Sequence, residues 1–163
     1  MLHETASGPG GARPATNDAV GQARRTLLHA SCVELAGIGV VLRGPSGCGK
    51  SDLALRLIDG GARLVADDRL LVERDGDRLL ARAPDAIVGL IEVRGLGIMR
   101  LDHRPVSTLG LMVALGDARP TERLPQRATC RLLGVALPYL ELDPRTPSAC
   151  AKIRLALAAE RVE

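Results

Sequence analysis

Short apolar runs separated by breaks rich in Gly, Pro and Asp dominate this chain, a rhythm that favours brief strands over long helices. Leu27 to Leu35 predicts one strand leading into a turn at Ala36-Gly37, and Gly37 to Arg43, rich in β-branched residues, predicts a second, buried one. From Asp52 onward, Leu53, Ala54, Leu55, Arg56, Leu57 and Ile58 predict a helix that stops at Gly60-Gly61. Arg63 to Ala66 reads as a short strand ending in Asp67-Asp68. Arg69 to Glu73 and Arg78 to Arg82 alternate across Asp75-Gly76-Asp77, the strongest hairpin signal in the sequence. Beyond it, Ile87 to Ile98 sets Glu92 and Arg94 among apolar residues and glycines, and Leu109 to Leu115 reads as a strand. Arg131 to Leu142 predicts two short strands around Pro138, and Ser148 is placed to cap a last helix from Ala149 to Glu160. The expected fold is α/β with a mixed sheet, partly antiparallel because the hairpin leaves no room for crossover helices. Residues 1–25, rich in Gly, Pro and Ala without a period, read as a flexible tail; residues 26–163 read as one domain.

Between the second strand and the first helix lies Gly44-Pro45-Ser46-Gly47-Cys48-Gly49-Lys50-Ser51, which fits the P-loop spacing G-x-x-x-x-G-K-[ST]. Glycines let such a loop curl until successive N–H groups converge on phosphate oxygens, and the helix that follows offers its positive end to the same anion. In that pattern Lys50 neutralises the β- and γ-phosphates, and the Ser51 hydroxyl ligates Mg²⁺. Strand, glycine loop and helix follow in the order that the motif requires.

Composition narrows the partners. A chain of 163 residues holds one domain with a real core. The net charge of +3 is mild and its arginines are scattered, which argues against a dedicated nucleic-acid binder. One Tyr, with no Phe or Trp, leaves Leu, Ile, Val and Ala to build the core and removes base-stacking platforms, so recognition of a nucleotide would centre on its phosphates. Cys32, Cys48, Cys130 and Cys150 lie far apart without zinc-type spacing and read as reduced thiols. No apolar stretch suits a signal sequence or a bilayer span, so a cytoplasmic protein with no membrane partner is expected.

A P-loop needs a carboxylate near its metal, delivered on another strand end. Asp67-Asp68 meets that need at the end of a short apolar strand: one carboxylate can reach the Mg²⁺ shell, and the other can accept a proton from an attacking hydroxyl. The same dipeptide also opens turns well without any chemistry. Glu92 and Arg94 point the same way if their segment is extended, one toward metal and one toward phosphate, although a surface ion pair has the same spacing. Gly95 and Gly97 beside them would let backbone approach a ligand. His29, alone in an apolar segment, reads by itself as a core or edge residue, and His3 and His103 have less to recommend them.

Leu28-His29-Ala30-Ser31, Gly44 to Ser51, Val65-Ala66-Asp67-Asp68 and above all Leu90-Ile91-Glu92-Val93-Arg94-Gly95-Leu96-Gly97-Ile98 resemble the HPr kinase/phosphorylase family of bacteria. The resemblance runs from about Leu27 to the end of the chain. It implies a core related to phosphoenolpyruvate carboxykinase and an ATP-dependent serine kinase that acts on the phosphocarrier protein HPr, and can reverse the reaction by phosphorolysis. By the same resemblance His29 is the active-site histidine, Lys50 the P-loop lysine, and Ser51 and Glu92 the Mg²⁺ ligands. One of Asp67 and Asp68 is the proton acceptor, with Asp68 favoured, and Arg123 is the catalytic arginine. Asp143 to Ser148, with Arg145, falls where the family keeps a segment used in dephosphorylation, and a hexamer is the assembly implied.

Three features depart from the family's pattern. Pro45 replaces the acidic residue common after the first loop glycine, the tail stands where the family has an N-terminal domain, and the stretch from Gly97 to Arg123 is short. Two other readings fit a P-loop: a small-molecule kinase or nucleotide hydrolase, and a non-catalytic sensor of nucleotide or phosphate.

Overall fold

The computed structural model describes residues 24–117, 123, 125–159 and 162. The tail expected over residues 1–25 therefore lies almost wholly outside the described residues, as does the expected helix end at Glu160.

Eleven strands and two α-helices are described, with a short 3-10 turn at Asp85–Ile87: β1 (Arg25–Leu28), β2 (Ala30–Leu35), β3 (Ile38–Arg43), α1 (Lys50–Asp59), β4 (Arg63–Ala66), β5 (Leu70–Asp75), β6 (Arg78–Arg82), β7 (Leu90–Val93), β8 (Gly97–Arg100), β9 (Ser107–Leu115), β10 (Ala128–Leu132), β11 (Val135–Leu142) and α2 (Ala149–Ala158). Nine strands join in one sheet in the order β1-β5-β6-β9-β3-β2-β4, with β11 on the far half of β9 and β10 beyond it. β3, β9 and β11 are mutually parallel neighbours and the other pairs in the sheet are antiparallel, so it is mixed as expected.

Side-chain alternation divides the core between the two faces of this sheet. Val40 and Leu42 of β3, with Leu111, Val113 and Leu115 of β9, pack against Leu53 and Leu57 of α1 and Ile153 of α2. Val41 and Met112 point the other way, into a second cluster with Leu70, Val72 and Leu79 of the curled β5–β6 end. Central strands covered on both faces need apolar residues at every position, and for that reason β3 shows no alternation in sequence. The largest fully buried side chains are all Leu, Ile or Val, as the lack of Phe and Trp requires.

Four expectations need correction. The strand expected over Leu27 to Leu35 is two, broken at His29: β1 pairs with β5, whereas β2 pairs with β3 and β4. Pro138 does not separate two strands. The turn is Leu133-Gly134, with both residues at positive φ, and Pro138 lies inside β11 opposite Thr129. Its missing N–H is tolerated because the pairing of β11 with β9 begins one residue later, at Tyr139↔Met112. Arg94 is not extended beside Glu92; it starts the turn between β7 and β8, a separate two-stranded hairpin. Finally, Ser148 occupies the N-cap position of α2 without a side-chain capping bond. No helix among the described residues is long and apolar enough to cross a membrane.

Candidate functional site

Two places where the chain changes partner face each other at one end of the sheet. Leu28 pairs with Leu70, and Cys32 pairs with Ala66, so residues 29–31 and residues 67–69 both bridge the same gap between pairings. Ala30 and Ser31 stay paired with β3 on their other side, while across the gap side chains take over from the ladder. Ser31 Oγ donates to Asp67 Oδ1 (3.0 Å) and accepts from the Asp68 N–H (3.2 Å). His29 Nε2 lies 2.5 Å from Asp68 Oδ1, with both side chains about half exposed (51% and 57%).

The P-loop arrives at this crossing from β3. Gly47 and Gly49 hold φ of 78° and 105°, where a side chain is strained, and a Cβ at Gly44 would stand 2.8 Å from the Leu115 carbonyl oxygen. Gly49 caps α1, whose first backbone bond runs from the Leu53 N–H to the Gly49 carbonyl; the earlier amides of the helix have no intrahelical acceptor and remain for an anion. Lys50 is only 5% exposed and donates to the carbonyls of Gly44 (2.8 Å) and Pro45 (3.1 Å), which ties its ammonium across the loop. Pro45, Ser46 and Gly47 are exposed, and Cys48 is partly buried against the core.

Asp67 links loop and crossing. Its carboxylate, 8% exposed, accepts from Ser51 Oγ (2.7 Å) and Ser31 Oγ on one oxygen and from the Glu92 N–H (3.1 Å) on the other. The backbone bond also docks β7 against the site, and so the exposed Glu92 side chain starts from a position next to the Ser51–Asp67 pair. Asp68 is set apart by its backbone: it holds φ of 67°, with the Arg69 N–H bonded to the Asp67 carbonyl (2.8 Å) across it. A non-glycine residue in such a tight turn carries strain, and strain of this kind gathers at functional positions. The turn sends adjacent carboxylates in different directions, Asp67 to the P-loop serine and Asp68 to His29.

Of the residues picked out from sequence, His29, Lys50, Ser51, Asp67, Asp68 and the backbone of Glu92 are brought together. Arg94 is exposed in its turn and takes part in none of these bonds. Arg123 is exposed and, among the described residues, joins none of the cluster's contacts. The segment Asp143 to Ser148 does reach the loop: a Cβ at Gly49 would contact Pro144, and Arg56 of α1 donates to the carbonyls of Pro144 (2.6 Å) and Thr146 (3.3 Å). Arg145 there is engaged by Asp143 and then by Asp117, which hold its guanidinium further toward the charged form. The four cysteines are free, and burial pushes the Cys32 thiol far up.

Ser31 is the contributor that sequence reasoning did not single out. The available signal was a hydroxyl inside an otherwise apolar, fully buried stretch, Ala30 to Val33. Ser31→Ala leaves the partly buried Asp68 N–H without its acceptor and the buried Asp67 carboxylate short of a donor, and is expected to lower stability by about 1–3 kcal/mol, read by chemical denaturation at an unchanged m-value.

Ser51 Oγ and the Asp67 carboxylate meet directly, and the Glu92 backbone joins them, so the side chains carried here bear oxygen donors, the type that suits Mg²⁺. Among the described residues no group of three or more His, Cys, Asp or Glu is placed to hold a metal ion.

A model of the HPr Serine kinase C-terminal domain matches residues 21–153. The chain is 33% identical over 136 residues to an HPr kinase/phosphorylase of Malacoplasma penetrans, covering 76% of this chain and 45% of that protein. It is 36% identical over 136 residues to one of Limosilactobacillus reuteri, covering 76% and 42%, and 47% identical over 77 residues to one of Clostridium beijerinckii, covering 47% and 26%. The chain thus spans less than half the length of these relatives. A solved structure of the HPr(Ser) kinase/phosphatase from Coxiella burnetii superposes with a TM-score of 0.72 at 24% identity, over 81% of this chain and 93% of that one, a likeness of fold.

Proposed function

The chain belongs to the family of the HPr serine kinase C-terminal domain, and from that membership we propose that it is an ATP-dependent kinase that phosphorylates a serine of the phosphocarrier protein HPr, with residues 26–163 as its catalytic domain. The observation that carries the reading is the pair of adjacent carboxylates with separate partners, Asp67 on the P-loop serine and Asp68 on His29. A phosphate-binding loop alone serves any nucleotide protein; a second carboxylate, exposed and oriented by an imidazole, is what a hydroxyl nucleophile requires.

The P-loop amides and Lys50 hold the phosphates of ATP, with Pro45, Ser46, Gly47, Cys48 and Gly49 around them. Ser51 and Glu92, backed by Asp67, would hold Mg²⁺, which when bound neutralises phosphate charge. Asp68 takes the proton of the serine hydroxyl while His29 Nε2–H keeps its carboxylate aimed. The serine Oγ–phosphorus bond forms as the bond from phosphorus to the β–γ bridging oxygen breaks, and ADP leaves with that electron pair. Lys50 and Arg123 stabilise charge on the transferred group. Run backward with inorganic phosphate as the attacking group, the same site returns the proton from Asp68 to the serine and yields pyrophosphate. The relatives' shared name, kinase/phosphorylase, supports including this direction.

Purified protein given ATP, Mg²⁺ and HPr is expected to raise the mass of HPr by one phosphoryl group, and phosphate is expected to reverse it. An HPr mass that stays constant while ATP is hydrolysed would replace this reading with a nucleotide hydrolase. The assembly is proposed to be a cytoplasmic homo-hexamer, to be checked by light scattering.

A further inference from the structure

Beside His29, which pairs with Asp68, opens a cavity of about 210 Å³ lined by Leu27, Leu28, His29 and Arg69. Its place follows from the broken strand. Leu27 and Leu28 are the last residues of β1, and Arg69 is the first residue after the strained turn at Asp68, so the wall of the cavity and the dyad are built by the same two crossings. The lining is of two kinds. Leu27 is an apolar residue 51% exposed, which water does not favour. Arg69 is exposed, and among the described residues its guanidinium has neither hydrogen-bond nor ion-pair partner, in contrast to Arg25 and Arg82, which pair with Glu73 and Asp85.

Building on the kinase reading, we infer that this cavity is the acceptor subsite: an apolar side chain of HPr next to the phosphorylated serine sits on Leu27, and Arg69 binds the phosphate oxygens once they are on that serine. The charge argument is specific. Before transfer the acceptor is a neutral hydroxyl; afterwards it carries a charge of about −1.5 to −2 at pH 7. Lys50 lies buried in the P-loop on the donor side, tied to the carbonyls of Gly44 and Pro45, whereas Arg69 is the cation lining the cavity that His29 shares. An arginine fork matches phosphate oxygens in pairs, and a lysine at the same place does not. Selectivity for the phosphorylated form thereby comes from this side of the site, and affinity for either form from Leu27.

The experiment is calorimetric titration of the full chain and its variants with HPr and with HPr phosphorylated on serine by the wild-type protein. Arg69→Gln is expected to weaken binding of the phosphorylated form about tenfold while shifting the unphosphorylated form less than about threefold; Arg69→Lys falls between. Leu27→Asp is expected to weaken both forms. ATP affinity stays within about twofold of wild type in each. Equal binding of phosphorylated HPr by wild type and Arg69→Gln would overturn the assignment, and so would a parallel loss of ATP affinity, which would move Arg69 to the donor side. A wild type that leaves HPr unphosphorylated fails at an earlier step: it sinks the kinase reading and takes this subsite with it, whereas a wild type that phosphorylates HPr isolates the result to Arg69.

Discussion

Lys50→Met is expected to reduce phosphoryl transfer to HPr by about a thousandfold, because it removes the one buried cation tied across the phosphate-binding loop. A single preorganised donor at a developing charge is worth about 10²–10³ in rate, and an ammonium in a partly desolvated site lies at the upper end. Lys50 is held at 2.8 Å and 3.1 Å to two loop carbonyls, so its position is set before any phosphate arrives and little reorganisation is needed on binding. Methionine keeps the apolar stem among its neighbours while deleting only the charge. ATP affinity should fall as well, since the lost charge acts on the ground state too. The check is the initial rate of phosphate appearance on HPr by mass spectrometry, paired with calorimetric ATP binding. A variant that keeps more than about a tenth of the wild-type rate would remove Lys50 from the chemistry.

Asp68→Asn is expected to lower transfer by about 10²–10⁴ while ATP affinity stays within about twofold, the opposite division from Lys50. Asparagine is nearly isosteric and tolerates the positive φ of 67° that Asp68 adopts, so the turn and the bond from the Arg69 N–H to the Asp67 carbonyl survive. What goes is the ability to accept a proton. Asp67→Asn should behave differently, since that carboxylate accepts from Ser31, Ser51 and the Glu92 backbone at once. An amide can accept on only one of its two terminal atoms, so one buried donor is left facing another; stability and Mg²⁺-dependent ATP binding should both drop. If Asp68→Asn instead lost ATP binding and Asp67→Asn kept it, the two roles would be exchanged.

Local signals identified most of these parts. The P-loop was readable because its function demands glycines at fixed spacing next to Lys and Ser, and the structure shows why: φ of 78° and 105° at Gly47 and Gly49, and no room for a side chain at Gly44. The hairpin of β5 and β6 was readable because Gly76 meets the positive φ of a tight turn between alternating strands. The division at His29 was not, since an apolar run has the same composition whether it keeps one partner strand or changes to another. Pro138 misled for a related reason: a proline breaks a strand only where its nitrogen would have to donate, and that depends on when the neighbouring strand begins to pair.

The residues by themselves pointed to an α/β domain around a phosphate-binding loop, to a core built without Phe or Trp, and to Lys50, Ser51, Asp67, Asp68 and Glu92 as chemical candidates, whereas His29 entered only through the resemblance to a known family. Those conclusions rest on periodicity, turn geometry and side-chain type, all carried within a few consecutive residues. Only the tertiary structure decided how two adjacent aspartates differ, which serine is shared between them, and that Arg69 and Leu27 line the same cavity as His29. These depend on two crossings brought face to face by strand pairings some forty residues apart in sequence, such as Leu28 with Leu70. No local pattern encodes such a meeting, because it is the register of the sheet that brings the segments together.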